Sequence, residues 1–149
     1  MILFNTTTNV MKYLLIFFIS CLLFSCSGQH KLAKANDGFT TTASGLKYKI
    51  LQVGSGQQAK AGQEVLIRET TAYLDGTVLY SNERSGSAVK VLIGGNQATL
   101  AVDEGLRGMQ EGEIRQLIAP PGLVKRKSYP PNVSPDSTLM IKIIVQKIL

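Results

Sequence analysis

The side chains best suited to covalent or metal chemistry are few, and they lie near one end of the chain. Both cysteines, Cys21 and Cys26, fall in or beside an apolar N-terminal run, and the single histidine, His30, follows them. Past His30 there is neither a thiol nor an imidazole. A nucleophile–histidine pair, a cysteine-based zinc site and a disulfide framework are therefore excluded from the rest of the chain, and no metal or other cofactor is expected there. The formal charge is +6. Removing residues 1–25 takes away only Lys12, leaving 15 basic and 10 acidic residues, or +5. The one dense basic run is Lys125-Arg126-Lys127. It is too short for a nucleic-acid footprint, so no nucleic-acid partner is expected. It reads as a solvated loop tip, with contact to anionic lipid as the sharper alternative.

The N-terminus reads as an address. Tyr13 to Phe24 is an uncharged apolar run behind Met11-Lys12. A spanning helix needs about 20 apolar residues; a run of about a dozen behind a basic residue fits the core of an export signal. Met11 is a candidate true start, with MILFNTTTNV as upstream extension. The run ends Leu23-Phe24-Ser25-Cys26, which resembles the lipobox of bacterial lipoproteins, although Phe24 is bulkier than the usual residue there. The resemblance implies cleavage before Cys26, acylation of its sulfur, and attachment to a membrane of the cell envelope, on the periplasmic or outer-membrane side. Several acyl chains make such attachment stable where one binds only marginally. The alternative is a plain secretory signal with an incidental cysteine. Residues 26–43 are small, polar and without periodicity, and are expected to be a flexible tether.

From Ser44 the pattern changes to that of a folded domain, 44–149. The chain length suits one domain better than two. Leu46, Tyr48 and Ile50 alternate with polar neighbours, the period of a strand. Val65 to Leu74, then Asp75-Gly76, then Thr77 to Tyr80 spell a hairpin, with Asp-Gly supplying positive φ at the turn. Val89, Val91 and Ile93 alternate again. Leu100 to Leu106 is the helix candidate, with Gly105 and Gly108 limiting its extension. Glu113 to Ala119 reads as a strand. Pro120 to Pro135 holds all five prolines and is expected to be a loop. Leu139 to Leu149 reads as an inner strand covered on both faces. The expected class is α+β: a mostly antiparallel sheet whose apolar face is covered by one short helix.

The order of landmarks is SGLKYKIL, GSG, AGQEVLI, YLDGTVLYS, LIGG, DEGLRGMQEGE, APP, then PPN and STL. Over 44–149 this resembles the FKBP-type prolyl isomerases. Asp103-Glu104-Gly105-Leu106-Arg107-Gly108-Met109 with Glu111-Gly112-Glu113 is the most specific piece. The resemblance implies an antiparallel half-barrel sheet wrapped around a short helix. It also implies that the partners are proline-containing segments, here of exported proteins. Catalysis in this family is physical rather than covalent. Rotation about an X–Pro bond breaks amide resonance, and a dry pocket that seats the proline ring favours the less polar twisted amide over the planar one. No nucleophile is needed.

The resemblance also places the family's pocket wall. Its first-strand tyrosine falls on Glu69, the Phe-Asp pair after the hairpin on Leu79-Tyr80, and the next phenylalanine on Val89. The Val-Ile pair before the helix falls on Ala98-Thr99, and the aromatic floor on Val102. The loop tyrosine falls on Lys125, an apolar loop residue on Val133, and a last-strand phenylalanine on Ile141. Nearly every ring is gone, and Glu69 puts a carboxylate in an apolar wall, where burial without a partner is costly. Arg68 is expected on the opposite sheet face. Weak isomerase activity is the expectation, with a non-catalytic peptide-binding, chaperone or envelope-assembly module of the same fold as the alternative.

Overall fold

A computed structural model describes residues 38–84 and 86–149. The export signal, Cys26 and most of the tether lie outside the described residues. Strands β1 (Thr40–Thr41), β2 (Lys47–Gln52), β3 (Glu64–Tyr73), β4 (Val78–Ser81), β5 (Val89–Leu92), β6 (Ile114–Ala119) and β7 (Leu139–Ile148) form one sheet. One helix, α1 (Leu100–Leu106), and a short 3-10 turn at Pro121–Leu123 complete the regular structure of the described residues. Every strand pair is antiparallel, in the order β1-β2-β6-β7-β3-β4, with β5 also paired to β3. The folded unit begins before Ser44, because Thr40 and Thr41 pair with Tyr48 and Lys47.

The sheet curls around α1, which packs on β6 and β7. Ala101, Val102 and Leu106 of the helix join Leu117, Ile141, Ile143 and Val145 of the sheet in one core. β7 is an inner strand, as expected, but only one of its faces is sealed. Leu139, Ile141, Ile143 and Val145 are buried, whereas Met140, Lys142 and Ile144 are half-buried. Ile148 should share that outer face by the period of two. A bulge corrects this: Leu66 pairs with Lys147 and Ile67 with Val145, so Gln146 is an extra residue and Ile148 returns to the core side.

The hairpin falls where its sequence places it, but its turn is of another type. Tyr73 N–H donates to Thr77 O at 2.9 Å and Gly76 N–H to Tyr73 O at 3.0 Å. The loop is therefore Leu74-Asp75-Gly76, and positive φ is confined to Gly76. A type I turn closed by a left-handed glycine fits this pattern. A second bulge follows. Thr71 pairs with Tyr80 and Ala72 with Val78, leaving Leu79 as the extra residue.

Gly105 does not limit the helix; it lies inside it and lets it approach the sheet. A Cβ at Gly105 would sit 2.6 Å from Cδ1 of Leu117, itself wholly buried. Alanine gains about 1 kcal/mol of helix propensity but forces an overpacked contact costing about 1–3 kcal/mol. Gly105→Ala should therefore leave stability unchanged or lower it by up to about 2 kcal/mol. Gly105→Val, with no such gain in propensity and two more methyls, should lose more. Urea titration of both variants reads this directly; a stabilised valine variant would contradict the close approach.

The polar and charged residues from Asp103 to Arg115 have local structural jobs. Asp103 accepts the Gly94 N–H and a 2.6 Å bond from Arg107, tying the β5 turn to the helix. Glu113 and Arg115 are both buried and pair at 2.6 Å. Arg115 also donates to the carbonyls of Gly105 at 2.9 Å and Arg107 at 3.3 Å, and stacks over Tyr48. A guanidinium thus satisfies the carbonyls that end the helix.

Candidate functional site

One concave hollow of roughly 470 Å³ opens between the sheet and the proline-rich loop. Its floor is aliphatic. Ile67 of β3, Val91 of β5 and Val102 of α1 are 2%, 5% and 3% exposed. Its rim is not closed: Tyr80 and Val89 are 48% and 44% exposed. The segment Asn96–Thr99 and a lip of Lys125-Arg126-Lys127 from the loop complete the lining.

The hollow gathers seven of the positions marked by the family resemblance: Glu69, Tyr80, Val89, Ala98, Thr99, Val102 and Lys125. Leu79, Val133 and Ile141 are not among its lining residues. Leu79 is the bulged residue of β4 and packs, half-buried, against the core. Ile141 is 1% exposed, between Leu117 and Thr71 on the neighbouring strands. Its side chain belongs to the core. Val133 lies on the far limb of the loop. That limb is clamped by Tyr73, whose hydroxyl donates to Asn132 O and accepts from Ser134 N–H, both at 2.9 Å.

Ile67, Val91, Asn96, Gln97, Arg126 and Lys127 line the hollow without having been marked by the resemblance. Two of them were within reach of strand periodicity. Ile67 is two residues from Glu69 and Val91 two from Val89, hence on the same faces. Gln97 entered through a turn contact, its side-chain carbonyl accepting Leu92 N–H at 2.9 Å.

Glu69 is positioned by its backbone and eased by a neighbour. Its N–H donates to Asn82 Oδ1 at 2.7 Å, and its carbonyl accepts Asn82 N–H. Its carboxylate accepts a 2.6 Å bond from the buried hydroxyl of Thr71, two residues on and on the same face. Arg68 instead donates to the carbonyls of Asn82 and Glu83, on the opposite side of the strand. The expected isolation of Glu69 from Arg68 is what the hydrogen bonds show, and Thr71 supplies the missing partner. Thr99, the residue before α1, holds a buried hydroxyl with no hydrogen-bond partner. Among the described residues, no group of acidic, cysteine or histidine side chains is arranged to hold a metal ion.

An antiparallel half-barrel around one short helix, with an aliphatic hollow at the helix entry, is the architecture of a prolyl isomerase domain. Residues 55–146 match the family of FKBP-type peptidyl-prolyl cis-trans isomerases, and the chain belongs to that family. It is 31% identical over 115 residues to a probable FKBP-type peptidyl-prolyl cis-trans isomerase, FkpA, of Neisseria meningitidis, covering 76% of this chain and 42% of that protein. Against the peptidyl-prolyl cis-trans isomerase Mip of Coxiella burnetii the values are 32%, 74% and 47%. The chain thus spans less than half the length of these curated relatives. The crystal structure of FkpA from Escherichia coli superposes with a TM-score of 0.67 at 25% identity, covering 79% of this chain and 54% of that one. A prolyl isomerase from Pseudomonas syringae gives 0.66 at 19% identity, covering 77% and 84%, and supports the fold alone.

Proposed function

We propose that the chain is a weak prolyl isomerase that assists the folding of exported proteins, held at the cell envelope by acyl chains on Cys26. The observation that carries the catalytic part is the floor of Ile67, Val91 and Val102, an aliphatic seat for a proline ring. A twisted amide is less polar than a planar one, so such a seat binds it preferentially. The weakness follows from the walls. An aromatic contact contributes about 0.5–1.5 kcal/mol beyond its buried area. Losing two that act on the twisted state slows the reaction about 5- to 150-fold. Glu69 and the open rim lower the selectivity for the twisted state further.

Exchange spectroscopy on a short X–Pro peptide tests this. Interconversion should be faster than the uncatalysed tens to hundreds of seconds, yet about 5–150-fold slower than with an aromatic-lined family member. Rates equal to such a member would overturn the weakness. Binding without any acceleration would favour a second reading, a peptide-binding or chaperone module of the same fold, which the exposed rim and Glu69 carboxylate support. Refolding of a proline-limited protein separates that reading from an envelope-assembly role, because assembly alone leaves refolding unchanged.

The anchor rests on Ser25-Cys26 at the end of the apolar run. Among the described residues no helix is long and apolar enough to cross a membrane. The full chain should incorporate a labelled fatty acid and Cys26→Ala should not; a chain that takes up no label would contradict acylation.

A further inference from the structure

We infer that the hollow selects proline segments carrying acidic side chains close to the proline, with Lys125, Arg126 and Lys127 as the recognising charges; this rests on the hollow being the proline site. The three cations form one lip of the cavity rather than a remote loop tip. None of them has an ion-pair partner among the described residues, where Glu64, Glu83, Asp103 and Glu113 are already paired to other cations. The only carboxylate in the lining is Glu69, and it is held by the Thr71 hydroxyl. The lining therefore carries three positive charges against one negative.

The lip is also held in place. Val124, just before the cations, is 2% exposed and caps the 3-10 turn at Pro121–Leu123. The N–H of Arg126 itself reaches the hydroxyl of Tyr129, just past the cations, at 3.3 Å, and the returning limb is clamped on Tyr73. A concave site with one sign of charge on its lip raises the local concentration of ligands of opposite sign. Glu69 comes from β3 of the sheet, whereas the three cations come from the proline-rich loop. The arrangement asks for a neutral proline over the aliphatic floor and acid in the flanking residues under the loop. Anionic lipid is the weaker candidate, because a flat headgroup layer does not enter a hollow whose floor is Ile67, Val91 and Val102.

The test titrates the full chain with three peptides that share one central proline and have flanking alanines, glutamates or lysines. The glutamate peptide should bind roughly tenfold more tightly than the alanine peptide at low salt, and the lysine peptide more weakly. At about 1 M salt, where screening acts within roughly 3 Å, the preference should shrink to about twofold or less. In a folded K125Q/R126Q/K127Q variant, the ratio of glutamate to alanine affinities should approach one, whatever happens to each affinity. A salt-independent preference, or one that survives the triple substitution, would overturn the inference. Equal binding of all three peptides would overturn it while leaving the proline site standing. No binding of any peptide would defeat both. Vesicles with anionic lipid that bind through these three residues, with no preference among peptides, would assign the charges to a membrane and also overturn it.

Discussion

Replacing Arg115 with alanine is expected to lower folding stability by about 3–5 kcal/mol, the usual cost of leaving one member of a buried ion pair alone. For a domain of this size that amounts to a fall of roughly 12–20 °C or more in melting temperature. The reason is local and cumulative. Arg115 pairs with Glu113, and its removal strands a carboxylate that is 3% exposed. It also strips the Gly105 and Arg107 carbonyls of their donors at the end of α1 and removes a cation from the Tyr48 ring. Glu113 keeps one bond, from Gln110 N–H at 3.1 Å. Thermal unfolding of Arg115→Ala, Glu113→Gln and the double variant measures the coupling. The double variant should be less destabilised than the sum of the singles. Strict additivity would mean that the two side chains do not depend on each other.

The second large effect is at Ile141. Truncation to alanine should cost about 2–5 kcal/mol, as for other buried aliphatic side chains, with little change in peptide affinity while the protein stays folded. Val102→Ala should behave differently, because Val102 belongs both to the core and to the floor of the hollow. It should lower peptide affinity as well as stability. Peptide titration well below both melting temperatures distinguishes the pair; a large affinity loss in Ile141→Ala would return that residue to the site.

Ile141 also shows why sequence and site part company. The fold was largely legible. Alternation located the long strands, the helix spans Leu100–Leu106 in both sequence and structure, and the order of short motifs pointed to the half-barrel. What alternation cannot show is a shift in the period. The extra residues Gln146 and Leu79 reset which side chains face inward, so Ile148 is core and Leu79 leaves the wall. Nor does a resemblance report burial: it places Ile141 in the pocket wall, whereas the residue is 1% exposed in the core. Glu113 and Arg115 broke the rule in the other direction, as buried charges just before and on β6, in register with Leu117 and Ala119. Their burial depends on the helix end they serve, a contact that no local window of sequence contains. The lip of cations was visible as a run, but only the folded loop brings it beside Val102 and Glu69.

The most direct measurement is methyl-resolved NMR of the full chain titrated with a proline peptide. Proline seated on the aliphatic floor should shift the methyls of Ile67, Val89, Val91 and Val102 together, with one common affinity, and leave Leu66 and Ile144 on the outer sheet face unmoved. Shifts gathered on that outer face instead, or none at all at peptide concentrations that bind, would contradict the hollow as the site of action.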